Sequence, residues 1–424
     1  MADLDHALPP ASVSVLANPV ADRWHFGIIA LIAFLTLVDL FAAQAILPSL
    51  QREFGVSRAT MGLAVNASTF GMAAAGVAVG IFGRNLDRRN GIWISLALLA
   101  IPTALLSTSR DIAIFTGLRV AQGLCMATAF TLTMAYLSER FPAERATGAL
   151  AAYITGNVAS NLFGRILSAA VADLGGLSIN FQTFALLNLA GAALVWTTLK
   201  RTERMMPDRH RRSRSENWNL SGRSVLGNRR LQIVLAIGFL ILFVFIGTFT
   251  YVNFRLVELG LSPMQLGLVY LVFLPSLFTT PLGGYISRRL GAGAGIVLTL
   301  LCAALGLVAL LSSSCAVVLA GLAMVAVGTF LAQALATSQV GHIAETEKAT
   351  ASGAYLASYY TGGLFGSLVI GQIYDRFGWS TSVLTLVAMA VLAMFFAVPL
   401  RAIRSGYRNG QETALSNRND EPHP

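Results

Sequence analysis

Stretches of about twenty apolar residues recur twelve times along the 424-residue chain, separated by short polar segments. The first runs over Phe26–Leu47 and the last over Trp379–Leu400, with Thr147–Val171, Phe181–Leu199, Gln265–Ile286 and Thr350–Ile373 among those between. A hydrocarbon layer ~30 Å thick needs ~20 apolar residues per α-helix. Within lipid a helix satisfies its backbone polar groups inside one segment. The pattern predicts an all-α membrane protein with twelve transmembrane helices.

The two halves of the chain share a second pattern. Ala152-Tyr153 followed by Leu162-Phe163-Gly164 recurs 202 residues later as Ala354-Tyr355 followed by Leu364-Phe365-Gly366. That offset also carries Asp173, Gly176 and Ser178 onto Asp375, Gly378 and Ser380. Gly55, Ser57, Gly62 and Leu63 recur at nearly the same shift as Gly260, Ser262, Gly267 and Leu268. Parallel repeats of membrane helices predict a transporter whose two halves rock around a central site. The expected organisation is an N-terminal tail (1–25), a six-helix bundle (26–200), a basic linker (201–230), a second six-helix bundle (231–400) and a C-terminal tail (401–424).

Composition agrees. The chain is 55% hydrophobic and 12% charged, too little charge to cover a soluble domain of this size. Its net charge of +10 is unevenly placed. Loops after even-numbered helices carry eighteen Lys or Arg; loops after odd-numbered ones carry five, Arg52, Arg58, Arg110, Arg255 and Arg376. Basic excess marks cytoplasmic loops, so the even loops and both termini are expected in the cytoplasm. The richest run, Lys200–Arg230, lacks the interleaved aromatics of a nucleic-acid surface and is expected to face lipid headgroups. Residues 1–25 show no pattern of a cleavable signal. Cys125, Cys302 and Cys315 have no metal-type spacing and read as small apolar side chains.

Charges in mid-membrane cost at least ~2.5–3.5 kcal/mol each on insertion scales, so each demands a reason. Three fall deep in predicted spans: Asp39 in helix 1, Arg119 in helix 4 and Arg165 in helix 5. All three belong to the first half and are expected to face a water-filled vestibule between the bundles. Asp39, the one deep acid, is a candidate proton-exchanging group, tuned by burial and by a neighbouring guanidinium. A fixed ion pair with Arg119 or Arg165 is the plainer reading. Arg119 and Gln122 share a helix face, and arginine keeps its proton, so Arg119 would tune an acid or hold an anion. Helix 5 spaces Tyr153, Asn157, Asn161 and Arg165 four apart, a polar stripe expected to wall a cavity. Gln122 of helix 4 is a further candidate for that wall, and Gln333, Tyr355 and Tyr359 are the candidates from the second half.

The loops after helices 2 and 8 carry Gly83, Asp87 and Arg88, and Gly284, Arg288, Arg289 and Gly291. The acid can cap a helix and the arginines can pair across the cytoplasmic face, gating it. Ordinary positive-inside anchors would have the same composition.

With these residues in view, the chain resembles the major facilitator superfamily across all twelve predicted helices. Asp87 and Arg88 fit its loop motif of glycine, acid and basic residues, while Asn90 stands at the second glycine and Arg288 replaces the acid in the second copy. Arg119-Val-Ala-Gln122-Gly123 resembles the helix-4 motif of the drug–proton antiporter branch, where the resemblance implies a role for Arg119 in proton coupling. Asp39, nine residues before Pro48, resembles the helix-1 acid of that branch. Helix 5 lacks the usual glycine-proline pair. Its Gly156-Asn157 and Gly164-Arg165 resemble the bacterial inner-membrane permeases labelled arabinose-efflux-like.

These features predict a proton-coupled secondary transporter in the bacterial cytoplasmic membrane, a monomer exporting a small neutral or anionic organic compound. Import of an organic anion or sugar on the same fold would use the same residues. No Gly-x4-Gly-Lys-Ser/Thr loop is present, so the expected energy source is a proton gradient, with no cofactor and no metal. No nucleophile–base pair suggests an enzyme. A non-transporting sensor or scaffold would need soluble appendages larger than the linker and tails.

Overall fold

The structure, a computed structural model, describes residues 19–82, 87–140, 143–199, 227–343 and 348–401. Most of the linker, both chain ends and Gly83 lie outside the described residues. The first half is built from α1 (Pro19–Ala45), α2 (Leu47–Phe54), α3 (Arg58–Phe82), α4 (Arg88–Leu106), α5 (Ile112–Arg140) and α6 (Ala143–Thr198). The second comprises α7 (Arg229–Glu258), α8 (Pro263–Val269), α9 (Leu274–Thr279), α10 (Gly283–Leu290), α11 (Ala292–Ala309), α12 (Cys315–Ile343) and α13 (Lys348–Ala397).

Nine of the described helices are long and apolar enough to cross a membrane, and the bent α8–α10 stretch makes ten. Two of the nine have apolar stretches of 47 and 50 residues. At 1.5 Å per residue each is about twice the ~30 Å core. Each is broken by one non-helical glycine, Gly176 (φ 82°) in α6 and Gly378 (φ 79°) in α13. That backbone is open to glycine and strained for any other residue. The separate spans Thr147–Val171 and Phe181–Leu199 are therefore joined by a kink, not by a loop. The pair also sits at matching positions of the repeat.

The α8–α10 stretch breaks for a different reason. Pro275 and Pro281 lack the N–H that a continuing helix requires, and 3₁₀ turns form over Tyr270–Phe273 and Thr280–Leu282. The apolar run Gln265–Ile286 is thus bent, with a 54° angle between Met264–Thr279 and Gly283–Leu290.

Corresponding helices meet in the same way in the two halves. A Cβ on Gly366 of α13 would lie 2.4 Å from the Phe243 carbonyl oxygen of α7, and one on Gly164 of α6 would lie 2.8 Å from the Val38 side chain of α1. Backbones this close leave no room for a side chain. Gly123 of α5 is equally tight: a Cβ there would sit 1.9 Å from the Ser68 carbonyl oxygen of α3. Gly123→Val is expected to push α3 from α5, costing about 3 kcal/mol or more by overpacking. A drop in melting temperature in detergent, measured against wild type, checks it. The outward faces of α4, α11 and the second parts of α6 and α13 expose Ile101, Leu305, Leu186 and Phe395, among others, as lipid-facing helices should.

Candidate functional site

A partly open cavity of ≈ 60 Å³ lies between the halves. Leu37, Leu40 and Phe41 of α1, Thr69 of α3, Phe130 of α5, and Asn157 and Asn161 of α6 line it from the first half. The second half adds Ile241, Leu242, Phe245 and Ile246 of α7, Thr329, Phe330 and Gln333 of α12, and Leu356, Tyr359 and Tyr360 of α13. No Asp, Glu, Lys, Arg or His is among these described lining residues.

Of the residues expected to wall the cavity, Asn157, Asn161, Gln333 and Tyr359 do so. Gln122, Tyr153, Arg165 and Tyr355 do not. Helix geometry accounts for the split on α6. A step of four residues turns the helix by about 40°, so the stripe from Tyr153 to Arg165 rotates by about 120° and only its middle can face one space. Tyr153 is buried within the first half, its hydroxyl donating to the Phe130 carbonyl at 3.3 Å. Tyr355 is buried behind Tyr359, the two rings stacked 5.9 Å apart.

Asp39 and Arg119 occupy a buried polar cluster inside the first half, not the vestibule expected from sequence. Asp39 lies about 160° around α1 from Leu37 and Phe41, so one helix carries the acid on one face and cavity wall on the other. The Arg119 guanidinium is fully buried and donates to the Val65 carbonyl (2.8 Å), the Asp39 backbone carbonyl (3.2 Å), Gln122 Oε1 (2.7 Å) and Ser68 Oγ (3.1 Å). Gln122 in turn donates to Thr103 Oγ1 at 2.7 Å, and so does Asn188 at 3.2 Å. The Asp39 carboxyl sits beside Asn188, Thr103 and the charge of Arg119. Its Oδ2 accepts no hydrogen bond among the described residues. The fixed ion pair of the plainer reading is not what the geometry contains: Arg119 spends its donors on neutral acceptors, leaving the buried carboxyl within reach of its field.

Arg165 crosses between the halves. It is fully buried and donates to Gln44 Oε1 at 2.5 Å. Its guanidinium lies 4.4 Å from the Tyr270 ring centroid and 5.4–5.8 Å from those of Phe41, Phe273 and Phe249. Ring faces attract a desolvated cation by ~2 kcal/mol or more, which offsets part of its burial.

Beyond Arg165 runs a polar seam that the sequence did not disclose. Asn66 Nδ2 donates to Thr250 Oγ1 (3.0 Å) and Ser367 Oγ (3.2 Å). Ser367 Oγ donates to the Gly62 carbonyl (2.8 Å) and Asn253 Nδ2 to the Gln44 carbonyl (3.0 Å). At the rim the Asp375 carboxylate accepts the Ala59 N–H at the start of α3 (3.0 Å), and Glu258 pairs with Arg58 (3.1 Å) and accepts the Tyr374 hydroxyl (3.2 Å). Arg58 also covers the Tyr374 ring at 4.8 Å. These contacts seal the side where α2 meets α3. A signal was present: Asn66 with Ser68 and Thr69, and Asn253 with Thr248 and Thr250, form short polar clusters inside otherwise apolar helices.

At the opposite end, Asp87 caps α4 by accepting the Asn90 N–H at 2.9 Å. Arg88 follows it, and Gly284, Arg288 and Arg289 lie on α10, with Arg289 5.6 Å from the Tyr285 ring and Gly291 closing the helix at φ 82°. Arg89, the next arginine of the same run, stacks on Trp196 at 4.6 Å and donates to its carbonyl.

A membrane-embedded cavity enclosed by two matching sets of helices defines a multi-pass transporter. The sequence profile of the Major Facilitator Superfamily matches residues 29–274 and 255–417, and the chain belongs to that superfamily. It is 27% identical over 371 residues to the inner membrane transport protein YnfM of Escherichia coli K12, covering 86% of this chain and 87% of that one. It is 24% identical over 385 residues to the MFS-type transporter YybF of Bacillus subtilis, covering 90% and 94%. Among solved structures it matches a D-xylose-proton symporter with a TM-score of 0.73 at 17% identity, covering 88% of this chain and 97% of that one.

Proposed function

We propose that this transporter exports a small, neutral, largely apolar compound by alternating access, in exchange for protons that bind Asp39. The observation that carries the substrate class is the cavity lining, in which aromatic and aliphatic side chains meet a few amides and hydroxyls and no ionised group. Apolar pockets with a few placed polar groups suit such ligands. The anionic class drawn from the count of deep charges loses support because neither Arg119 nor Arg165 lines the cavity, although Arg165 keeps Nε and Nη1 without a hydrogen-bond partner among the described residues.

In this reading the kinks at Gly176 and Gly378 and the single bent span at α8–α10 make twelve membrane crossings in two six-helix bundles, 26–200 and 231–400. The basic loops place both termini in the cytoplasm, and the sealed seam then closes the outer side. The membrane is the inner membrane of a bacterium, as the name of YnfM says for that relative. A proton arriving at Asp39 removes a charge from the cluster that ties α1 to α3, α4 and α5. Movement of α1 then reshapes the cavity wall formed by Leu37, Leu40 and Phe41. Asp87 and the loop arginines serve the cytoplasmic gate.

The test is reconstituted protein in vesicles loaded with a pH-sensitive dye, challenged with cationic, neutral and anionic compounds under pH gradients of either sign. A proton flux evoked by neutral apolar compounds and opposite to theirs is the expected result. Flux with anions alone, or in the same direction as the substrate, would refute the proposal.

A further inference from the structure

We propose that the transported compound is a neutral arene carrying two hydrogen-bond donors about one helical turn apart, which pair with the side-chain oxygens of Asn157 and Asn161. This rests on the reading of the inter-half cavity as the substrate site. Asn161 is 1% exposed, and the Oδ1 atoms of both asparagines are buried and accept no hydrogen bond from the described residues. Both line the cavity. Separated by four residues on α6, they stand about 6 Å apart along the helix axis. Buried acceptors are costly to leave unmet, so a ligand that supplies their donors is favoured over one that cannot.

The neighbouring threonine hydroxyls can also accept, but each already sits in a hydrogen bond of its own, unlike the unmet asparagine oxygens. Thr329 donates to the Val325 carbonyl at 2.7 Å and Thr69 to the Asn66 carbonyl at 2.7 Å, each within its own helix. The remaining walls are six rings, Phe41, Phe130, Phe245, Phe330, Tyr359 and Tyr360, an equal number of Leu and Ile side chains, and the amide of Gln333. Phe245 and Phe330 already meet edge to face at 5.4 Å. Flat aromatic ligands stack or T-pack in such surroundings. An ionised ligand would find no countercharge on the lining.

The full-length protein in lipid nanodiscs tests this with a matched pair of probes, a dihydroxynaphthalene with one hydroxyl on each ring and its dimethyl ether. Titration calorimetry should find the diol bound at least about tenfold more tightly than the ether. Asn161→Leu and Asn157→Leu should each remove most of that preference while leaving ether affinity within about twofold, which also reports an intact fold. Equal affinities in wild type, a preference that survives both substitutions, or tighter binding of the ether would overturn the donor assignment and leave the neutral-substrate reading standing. A third probe, naphthoate, separates the two. If neither neutral arene binds while naphthoate does, and Arg165→Gln abolishes that binding, the neutral-substrate reading falls together with this one.

Discussion

Asp39→Asn is expected to lower proton-driven transport by at least about a hundredfold while leaving substrate binding and folding close to wild type. Asn keeps the shape of the side chain and its contacts with Asn188 and Thr103, but it cannot exchange a proton at physiological pH. A hundredfold loss corresponds to about 2.7 kcal/mol of coupling, modest beside the cost of a buried charge. Exchange of labelled for unlabelled substrate, which needs no gradient, should continue because the cavity face of α1 is untouched. A variant that still accumulates substrate against its gradient when a pH difference is imposed would remove Asp39 from the mechanism. Arg119→Gln should behave differently. It leaves the Val65 and Asp39 carbonyls and Ser68 short of donors, so a loss of stability of about 3 kcal/mol is expected together with the loss of coupling.

The second large effect concerns the rim. Glu258→Gln combined with Asp375→Ala removes the Arg58 ion pair and the carboxylate at the α3 N-terminus. The Arg58–Glu258 pair is partly exposed, its side chains each 39% accessible, and is worth at most ~1 kcal/mol. A carboxylate at a helix N-terminus adds ~0.3–1 kcal/mol. Together they bias the sealed form by about 1.5 kcal/mol, so their loss should raise the population open on that side by about tenfold. The rate at which a membrane-impermeant maleimide, applied from that side, labels a cysteine at Thr69 measures it. An unchanged rate would mean that the buried contacts of Asn66, Ser367 and Asn253 hold the seam alone.

Much of the architecture was legible because lipid imposes it. Spans announce themselves by length and hydropathy, and the repeat places Gly176 opposite Gly378, which share a positive-φ backbone. What pattern could not reveal was how little separates consecutive helices. Asp173 and Ser178 read as loop residues, yet helix resumes after a single glycine. The site was legible in proportion to the phase of each helix. Asn157 and Asn161 face the cavity as their spacing implied, whereas the drift of an i, i+4 stripe carries Tyr153 and Arg165 off that face. A deep charge announced only that it must be satisfied, not by what. For Arg119 the partners are backbone carbonyls, which no sequence pattern marks. Nor could pattern tell cavity rings such as Phe245 and Phe330 from lipid-facing ones such as Phe395, since both environments accept an aromatic side chain.

The central claim is that the space between the halves opens to each side of the membrane in turn. A single cysteine at Gln333, in a background with Cys125, Cys302 and Cys315 replaced by Ser, reports it directly in vesicles of known orientation. Impermeant maleimide should label it from either face, with the ratio of the two rates shifting as the pH difference is reversed and both rates falling when a transported compound is present. Labelling confined to one face under every gradient, unaffected by any transported compound, would contradict the account.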